Sequence, residues 1–209
     1  MTQPTASGAA ARSRPPDPDE VRQLVGRIVD ELLASGTPPP EPPPATSPAG
    51  EDRMPQPGSD AIAIGADHGG YPLKERLAFK LREAGHEVHD CGTDSPAAVD
   101  YPDFAHAVAR LVGEGKCRWG IVIDGAGIGS AIVANKVPGV RAALCYDLST
   151  ARNSREHNHA NVLTLGAGLI GEALAWQIVQ EWLSVEWGGG RHARRVDKIT
   201  EIERSYLRT

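Results

Sequence analysis

Aromatic residues are scarce in this chain, at 5% of 209 residues, and so are cysteines, of which there are three. Cys91, Cys117 and Cys145 have no metal-ligand spacing and leave an odd count. That excludes a closed disulfide framework and suits a reducing cytosol. No apolar run approaches the ~18 residues that a membrane-spanning helix needs, so no membrane partner is expected. The opening MTQPTASGAAARSRPPDPDE lacks the apolar core of a secretory signal. It is rich in Ala, Ser, Arg and Thr, as transit peptides are, but Asp17, Asp19 and Glu20 break that composition. Positive charge is not in excess either. Lys and Arg number 22 against 27 Asp and Glu, for a net charge of -5 and a pI near 5.8. That argues against a general nucleic-acid binder. Proline is almost missing from most of the chain: Pro72, Pro96, Pro102 and Pro138 are the four after residue 60, and the other thirteen precede it.

The uneven proline divides the chain into unlike pieces. Residues 1–16 are small, polar and Pro-containing, and read as disordered. Residues 17–36 read as an amphipathic helix. Asp17 can cap it, Pro18 suits its first position, and Glu20 completes a capping-box spacing. Val21, Leu24, Val25, Ile28, Val29, Leu32 and Leu33 form one apolar stripe, and Gly36 ends it. Residues 37–60 are a polyproline-type linker. A lone helix of this length is marginal in water and must bury its stripe on a surface: its own domain's, that of a second copy of itself in an oligomer, or another protein's. Its layout, a short amphipathic helix on a Pro-rich tether, resembles the encapsulation peptides that carry enzymes into bacterial microcompartments. That resemblance implies a shell-protein partner for residues 17–36 and a place in the microcompartment lumen.

Residues 61–209 read as one domain. Apolar runs at 61–66, 87–92, 118–124, 141–147 and 161–166 predict five strands. Segments 71–85, 100–115, 128–136, 148–158, 171–185 and 193–207 predict helices. The first is expected to bury Leu73, Leu77, Leu81 and either Phe79 or Lys80. Strands alternating with helices through short connections imply an α/β fold: an open, doubly wound, five-stranded parallel sheet with helices on both faces. Ligands of such sheets sit beyond the carboxyl ends of the strands. Polar and glycine residues gather there: Asp67-His68-Gly69-Gly70, Cys91-Gly92, the run from Asp124 to Ser130, and Tyr146-Asp147.

Gly125, Ala126, Gly127, Ile128 and Gly129 form a loop whose backbone amides can surround an anion at a helix start. A dinucleotide fingerprint is its rival, and Asp147 stands about twenty residues on, where a ribose-binding acid would. But the third fingerprint glycine is Ser130, and the loop follows the third strand. Asp67 and His68 are a carboxylate beside an imidazole, able to share a proton or to orient a hydroxyl. His157 and His159 invite a zinc reading, but their i, i+2 spacing is a poor one for helical ligands. Arg191 and Arg195, at i and i+4, suit a phosphate grip from one helix face.

GADHGGYPLKERL, DYPDFA, IDGAGIGSAIVANKVPGVRAALCYD, SREHNHANVLTLG and GGRHARRVDKITEIE occur in order. Together they make residues 61–207 resemble the ribose-5-phosphate isomerase B family, which includes the galactose-6-phosphate isomerase subunits. The resemblance implies an aldose–ketose isomerase of phosphorylated sugars, most simply ribose 5-phosphate, with no metal and no cofactor. It implies a homodimer or homotetramer with sites built across a subunit boundary. It implies that Asp67 and His68 contact substrate, that His157 assists ring opening with Asn158 beside it, that the amides of Gly125 to Gly129 hold an enediolate, and that Arg191 and Arg195 grip the phosphate. Three features of the family pattern are altered. The family's base is a cysteine where Asp124 stands, or a glutamate where Ser130 stands. The usual Thr or Ser is Ala126, and an arginine that reaches a neighbour's phosphate is Gly168. Asp124 has the reach to serve as the base, though a carboxylate's reference pKa of about 3.9 makes it weaker than a thiolate at about 8.5. An altered substrate and lost catalysis are the alternatives.

Overall fold

The computed structural model describes Asp17, Gln23, Leu24, Arg27 and residues 60–207. The chain divides into two units, residues 1–51 and 52–209. In the first, Gln23, Leu24 and Arg27 are helical, and Leu24 is exposed. The remainder of the expected leader helix, and the linker, lie outside the described residues. No helix among the described residues is long and apolar enough to cross a membrane.

The second unit alternates strand and helix throughout. Its elements are β1 (Ile62–Ala66), α1 (Tyr71–Glu83), β2 (Val88–Asp90), α2 (Tyr101–Gly113), β3 (Trp119–Asp124), α3 (Ile128–Ala134), β4 (Ala142–Leu144), α4 (Leu148–Glu156), β5 (Val162–Gly166), α5 (Glu172–Ser184) and α6 (Ala193–Leu207). A 3-10 turn, Gly190–His192, precedes the last helix. The five strands are parallel in the order β2-β1-β3-β5-β4.

Alternation along the strands supplies two cores, because successive side chains point to opposite faces. Ile62, Ile64, Ile121, Ile123, Leu163 and Leu165 face one way, onto Leu77, Leu81, Ile178 and the fully buried Trp182. Ala63, Val122 and Val162 face the other way, onto Ala105, Val108, Ala109 and Val112 of α2. On α1, Leu73, Leu77 and Leu81 are buried as expected, but the other buried positions are Lys74 and Ala78, and Phe79 is exposed. Lys74 takes the inward place because its ammonium ends on Asp90 at 2.7 Å and Glu75 at 2.8 Å.

The sheet order creates the crevice. From β1 the chain goes out to β2 and then returns across β1 to β3. The loops leaving β1 and β3 therefore depart in opposite directions and open a gap at the C-terminal edge. Gly70 closes the bottom of the first loop against β3, where an added Cβ would stand 2.2 Å from the Ile123 carbonyl oxygen. Gly70→Ala is therefore expected to destabilise the domain by about 2 kcal/mol or more, since backbone must move. A urea midpoint equal to wild type would contradict this.

Candidate active site

Three loops meet at the C-terminal rim. The first carries Asp67, His68 and Gly69 beyond β1. The second runs from Asp124 to Ser130, and the third from Gly166 to Leu169. An added Cβ on Gly69 would lie 3.6 Å from the Gly125 nitrogen, and one on Gly166 would lie 2.7 Å from the Ala126 carbonyl. The Gly168 amide donates to the Gly125 carbonyl at 3.0 Å. Tyr146 Oη donates to the Ala126 carbonyl at 2.7 Å, and the Tyr101 ring covers Gly129. Tyr146 was expected at this rim; Tyr101, from the start of α2, was not.

Asp124 ends β3 and is 5% exposed. Its Oδ1 accepts from the Ala126 amide at 2.8 Å and from the Gly127 amide. Its Oδ2 accepts from the Ser130 amide at 3.0 Å and from the Ser130 hydroxyl. A carboxylate offers about four lone-pair sites, and here all four have donors. Gly127 must be glycine for the loop to turn this way, since its φ is 77° and a Cβ would meet Leu144 at 2.4 Å. This arrangement corrects one expectation. The amides of Ala126 and Gly127 are not free to hold an enediolate, because the strand-end carboxylate has collected them. Ile128 and Gly129 are the first two residues of α3 after its cap, so their amides precede any intrahelical acceptor and carry the helix's positive end.

Asp67 and His68 do not share a proton. Asp67 is buried, and its Oδ1 accepts from the Gly70 amide at 2.9 Å. His68 is exposed, with Nδ1 3.2 Å from the Val99 amide nitrogen. Consecutive residues at a strand end point apart, which separates the pair. Asp67 Oδ2 is left with no hydrogen-bond partner among the described residues. The cysteines offer no thiolate near the loop: burial raises all three thiols, Cys117 to about 11. Asp147, the acid of the rival dinucleotide reading, caps α4 by accepting from the Thr150 amide at 2.7 Å.

The remaining expected residues lie at the opposite rim. In a parallel sheet each helix runs back to the N-terminal edge, and α4 spans about 13 Å in doing so. His157 caps its C-terminal end, and Asn158 follows. His157 accepts or donates at 2.9 Å with the Asn153 side chain and stacks on His192, with centroids 4.3 Å apart. The Gly188 amide donates to the Glu156 carbonyl at 3.1 Å, which brings the segment after α5 to the same place. Arg191 Nε lies 3.3 Å from His192 Nε2. The His192 pKa is lowered, first by loss of water around the ring and then by His157, Arg191 and Arg195. Both arginines are exposed. They do not share one helix face as expected. Gly189 and Gly190, at φ 56° and 52°, bend the chain, so Arg191 sits in the 3-10 turn and Arg195 in α6.

His157 and His159 also part company. His159 stacks on Trp187 with centroids 4.8 Å apart. Burial, reinforced by Arg141, Arg155 and Arg118, lowers its pKa to about 4. The unfolded chain binds that proton near pH 6.5, so the stabilisation is full above 6.5 and is lost as the pH falls towards 4. Unfolding free energy is expected to drop by about 2 kcal/mol between pH 7 and 4.5 from this group. His159→Gln should flatten that part of the profile in urea titrations, and an unchanged slope would contradict the assignment.

The same chain aligns with characterised proteins over this unit. The family profile described as Ribose/Galactose Isomerase matches residues 62–199. The chain belongs to that family. It is a sugar-phosphate isomerase, an intramolecular oxidoreductase that moves a carbonyl along its substrate's own carbon chain. Ribose-5-phosphate isomerase B of Escherichia coli is 46% identical over 142 residues, which are 68% of this chain and 95% of that one. D-erythrulose-4-phosphate isomerase of Pectobacterium atrosepticum is 43% identical over 144 residues, 68% and 95% of the two chains. Among solved structures, ribose-5-phosphate isomerase B of Clostridium thermocellum superposes with a TM-score of 0.69 at 55% identity, covering 70% of this chain and 99% of that one. The Mycoplasma genitalium enzyme with bound ribulose 5-phosphate gives 0.67 at 40% identity, covering 69% and 96%.

Proposed function

We propose that this isomerase interconverts ribose 5-phosphate and ribulose 5-phosphate through an enediolate, with Asp124 as the base. The observation that carries the reading is the Asp124 carboxylate, buried at the end of β3 beside the start of α3, where the amides of Ile128 and Gly129 precede any intrahelical acceptor. Oδ2 is the oxygen that can act. Its bond from Ser130 Oγ is made by a hydroxyl rotor, and turning that hydroxyl away frees one lone pair while the three amide bonds keep the carboxylate in place. Oδ2 then takes the proton from C2 of the open-chain aldose, and the charge passes to O1. The Ile128 and Gly129 amides, at the positive end of α3, stabilise that oxyanion. The O2 hydroxyl proton passes to the neighbouring O1 across the enediolate, and return of the first proton from Oδ2 to C1 leaves a hydroxyl at C1 and the carbonyl at C2.

Ring opening and phosphate binding belong to His157, Asn158, Arg191 and Arg195. A strand of six residues puts about 17 Å between the two rims, too far for one pentose phosphate to touch both sets within a protomer. This supports a homo-oligomer in which the N-terminal rim of one copy completes the C-terminal rim of the next. The phosphate clamp supplies binding energy that positions the reacting carbons.

A coupled assay over ribose 5-phosphate, tetrose 4-phosphates and hexose 6-phosphates tests the substrate. Highest kcat/KM on ribose 5-phosphate is expected. Preference for a tetrose phosphate would move the assignment towards the Pectobacterium relative, and no turnover on any sugar would defeat the catalytic reading. Gly168 bears on this outcome: its close approach to Gly125 leaves no room for a larger side chain without displacing the loop.

Residues 17–36 fit a docking helix for a microcompartment shell protein. Fusing residues 1–60 to a fluorescent protein is expected to give puncta in cells that make shells, and diffuse fluorescence there would reject the assignment.

A further inference from the structure

The N-terminal rim opens into a cavity of about 970 Å³ whose chemistry the isomerase reaction does not use. Its lining includes Arg118, Arg141, Arg155, His159, Trp119 and Trp187, and none of the residues assigned to sugar-phosphate binding. Two of the three arginines immediately precede strands, β3 and β4, and the third lies in the last turn of α4. The parallel sheet therefore delivers all three to one edge.

Arg155 is the deepest, at 3% exposed. Its guanidinium lies 4.0 Å from the Trp119 ring and 5.1 Å from the Trp182 ring. Nη1 donates to the Ala160 carbonyl at 2.6 Å, and Nε has no hydrogen-bond partner among the described residues. Arg141 is half-buried and spends Nε on the His159 carbonyl at 2.9 Å. His159 reaches that arginine by adopting φ 50°. Arg118 stacks over Trp119 at 4.8 Å and gives Nη1 to Asp60 at 2.7 Å. Among the described residues, that is the one ion pair made by any of the three. The other carboxylate of the lining, Glu186, is exposed at the mouth. The buried guanidinium feels its neighbours: burial and then repulsion from Arg118 and Arg141 lower Arg155 to about 10.

Three guanidinium groups facing one cavity, the deepest stripped of water and short of a partner, are costly without an anion to complete them. Guanidinium forks match phosphate oxygens two at a time. A single phosphate would occupy a small part of this volume and engage one or two forks, whereas linked phosphates reach all three. We propose that the cavity is a second binding site, selective for an oligophosphate ligand and separate from the sugar-phosphate site.

Isothermal titration of the full chain with pyrophosphate tests this, with Arg118→Gln and Arg141→Lys as variants. Arg118 is half-exposed and Arg141→Lys keeps a cation, so both are expected to fold, which a melting curve verifies. Saturable binding is expected in the wild type, with affinity about tenfold weaker or worse in each variant. Arg191→Gln should leave pyrophosphate affinity unchanged, and Arg118→Gln should leave isomerase turnover unchanged. The proposal is overturned by absence of saturable heat. It is equally overturned if Arg191→Gln abolishes binding while both cavity variants retain it, because the anion then sits among the sugar-phosphate groups. Loss of turnover in Arg118→Gln would also overturn the separation of the two sites, whereas an inactive wild type would count against the isomerase reading alone and leave the titration result standing.

Discussion

Asp124→Asn is expected to lower turnover by about 10²–10⁴-fold, the usual contribution of a positioned general base. It is also expected to lower unfolding free energy by about 1–3 kcal/mol, the cost of one buried donor left facing another donor. The two effects come from one carboxylate with two duties. Asparagine keeps a carbonyl for the Ala126 and Gly127 amides, and its NH₂ can donate to the Ser130 hydroxyl, which rotates to accept. The Ser130 amide cannot reverse its role, so it is left against an N–H. A simple base exchange would remove turnover and leave the melting temperature alone. A simple structural anchor would lower the melting temperature and leave turnover per folded molecule intact. The structure predicts both losses together, measured by the coupled assay and a thermal melt on one preparation. Full turnover in the folded variant would eliminate Asp124 as the base and turn attention to Asp67, whose Oδ2 is unengaged among the described residues. Asp124→Cys makes an informative companion. It supplies the residue type that the family resemblance associates with this position, but a thiol cannot gather four donors, so lower stability is expected even where some turnover survives.

The departure at Asp124 thus has a physical sense that the bare sequence did not disclose. Substituting a carboxylate at a strand end changes the loop as well as the base, because the carboxylate draws in amides that would otherwise stay open. The spacing from Asp124 to Gly127 and Ser130 carried a signal for this, three and six residues on, as in a side chain capping the helix that follows. The type and order of the strands and helices were legible, since apolar runs such as Ile62, Ile64 and Ile121, Ile123 alternate with periodic helical segments, but β2 and β4 are three residues each where runs of six and seven were expected. Strand order was not legible. Nothing in the composition of β5 says that it inserts between β3 and β4. Lys74 was missed because periodicity weighs apolar residues, and its inward place depends on Asp90, a strand away. The rim of each site residue was recoverable by direction alone. His157 follows a helix and precedes a strand, so it must lie at the N-terminal edge, opposite Asp124. The basic cavity escaped notice because Arg118, Arg141 and Arg155 are isolated in sequence and become a cluster only through the parallel sheet.

That division between rims carries the other large expected effect. Asp124→Asn disables the C-terminal rim and Arg191→Gln the N-terminal rim, so each variant alone should be nearly inactive. Co-expressed in equal amounts, they are expected to regain about a quarter of wild-type activity. Half of the pairs would be mixed, and in a mixed pair of two-fold symmetry one of the two composite sites carries both substitutions while the other carries neither. The regained sites are unmodified, so KM should return to the wild-type value while only kcat per total protein is reduced. A site confined to one protomer makes the opposite forecast, because each mixed pair would hold two differently damaged sites and activity would stay at the sum of the separate variants. Purifying the mixed species through two different affinity tags raises the expected recovery to about half. Activity of that doubly tagged species at the level of either single variant would reject the shared site.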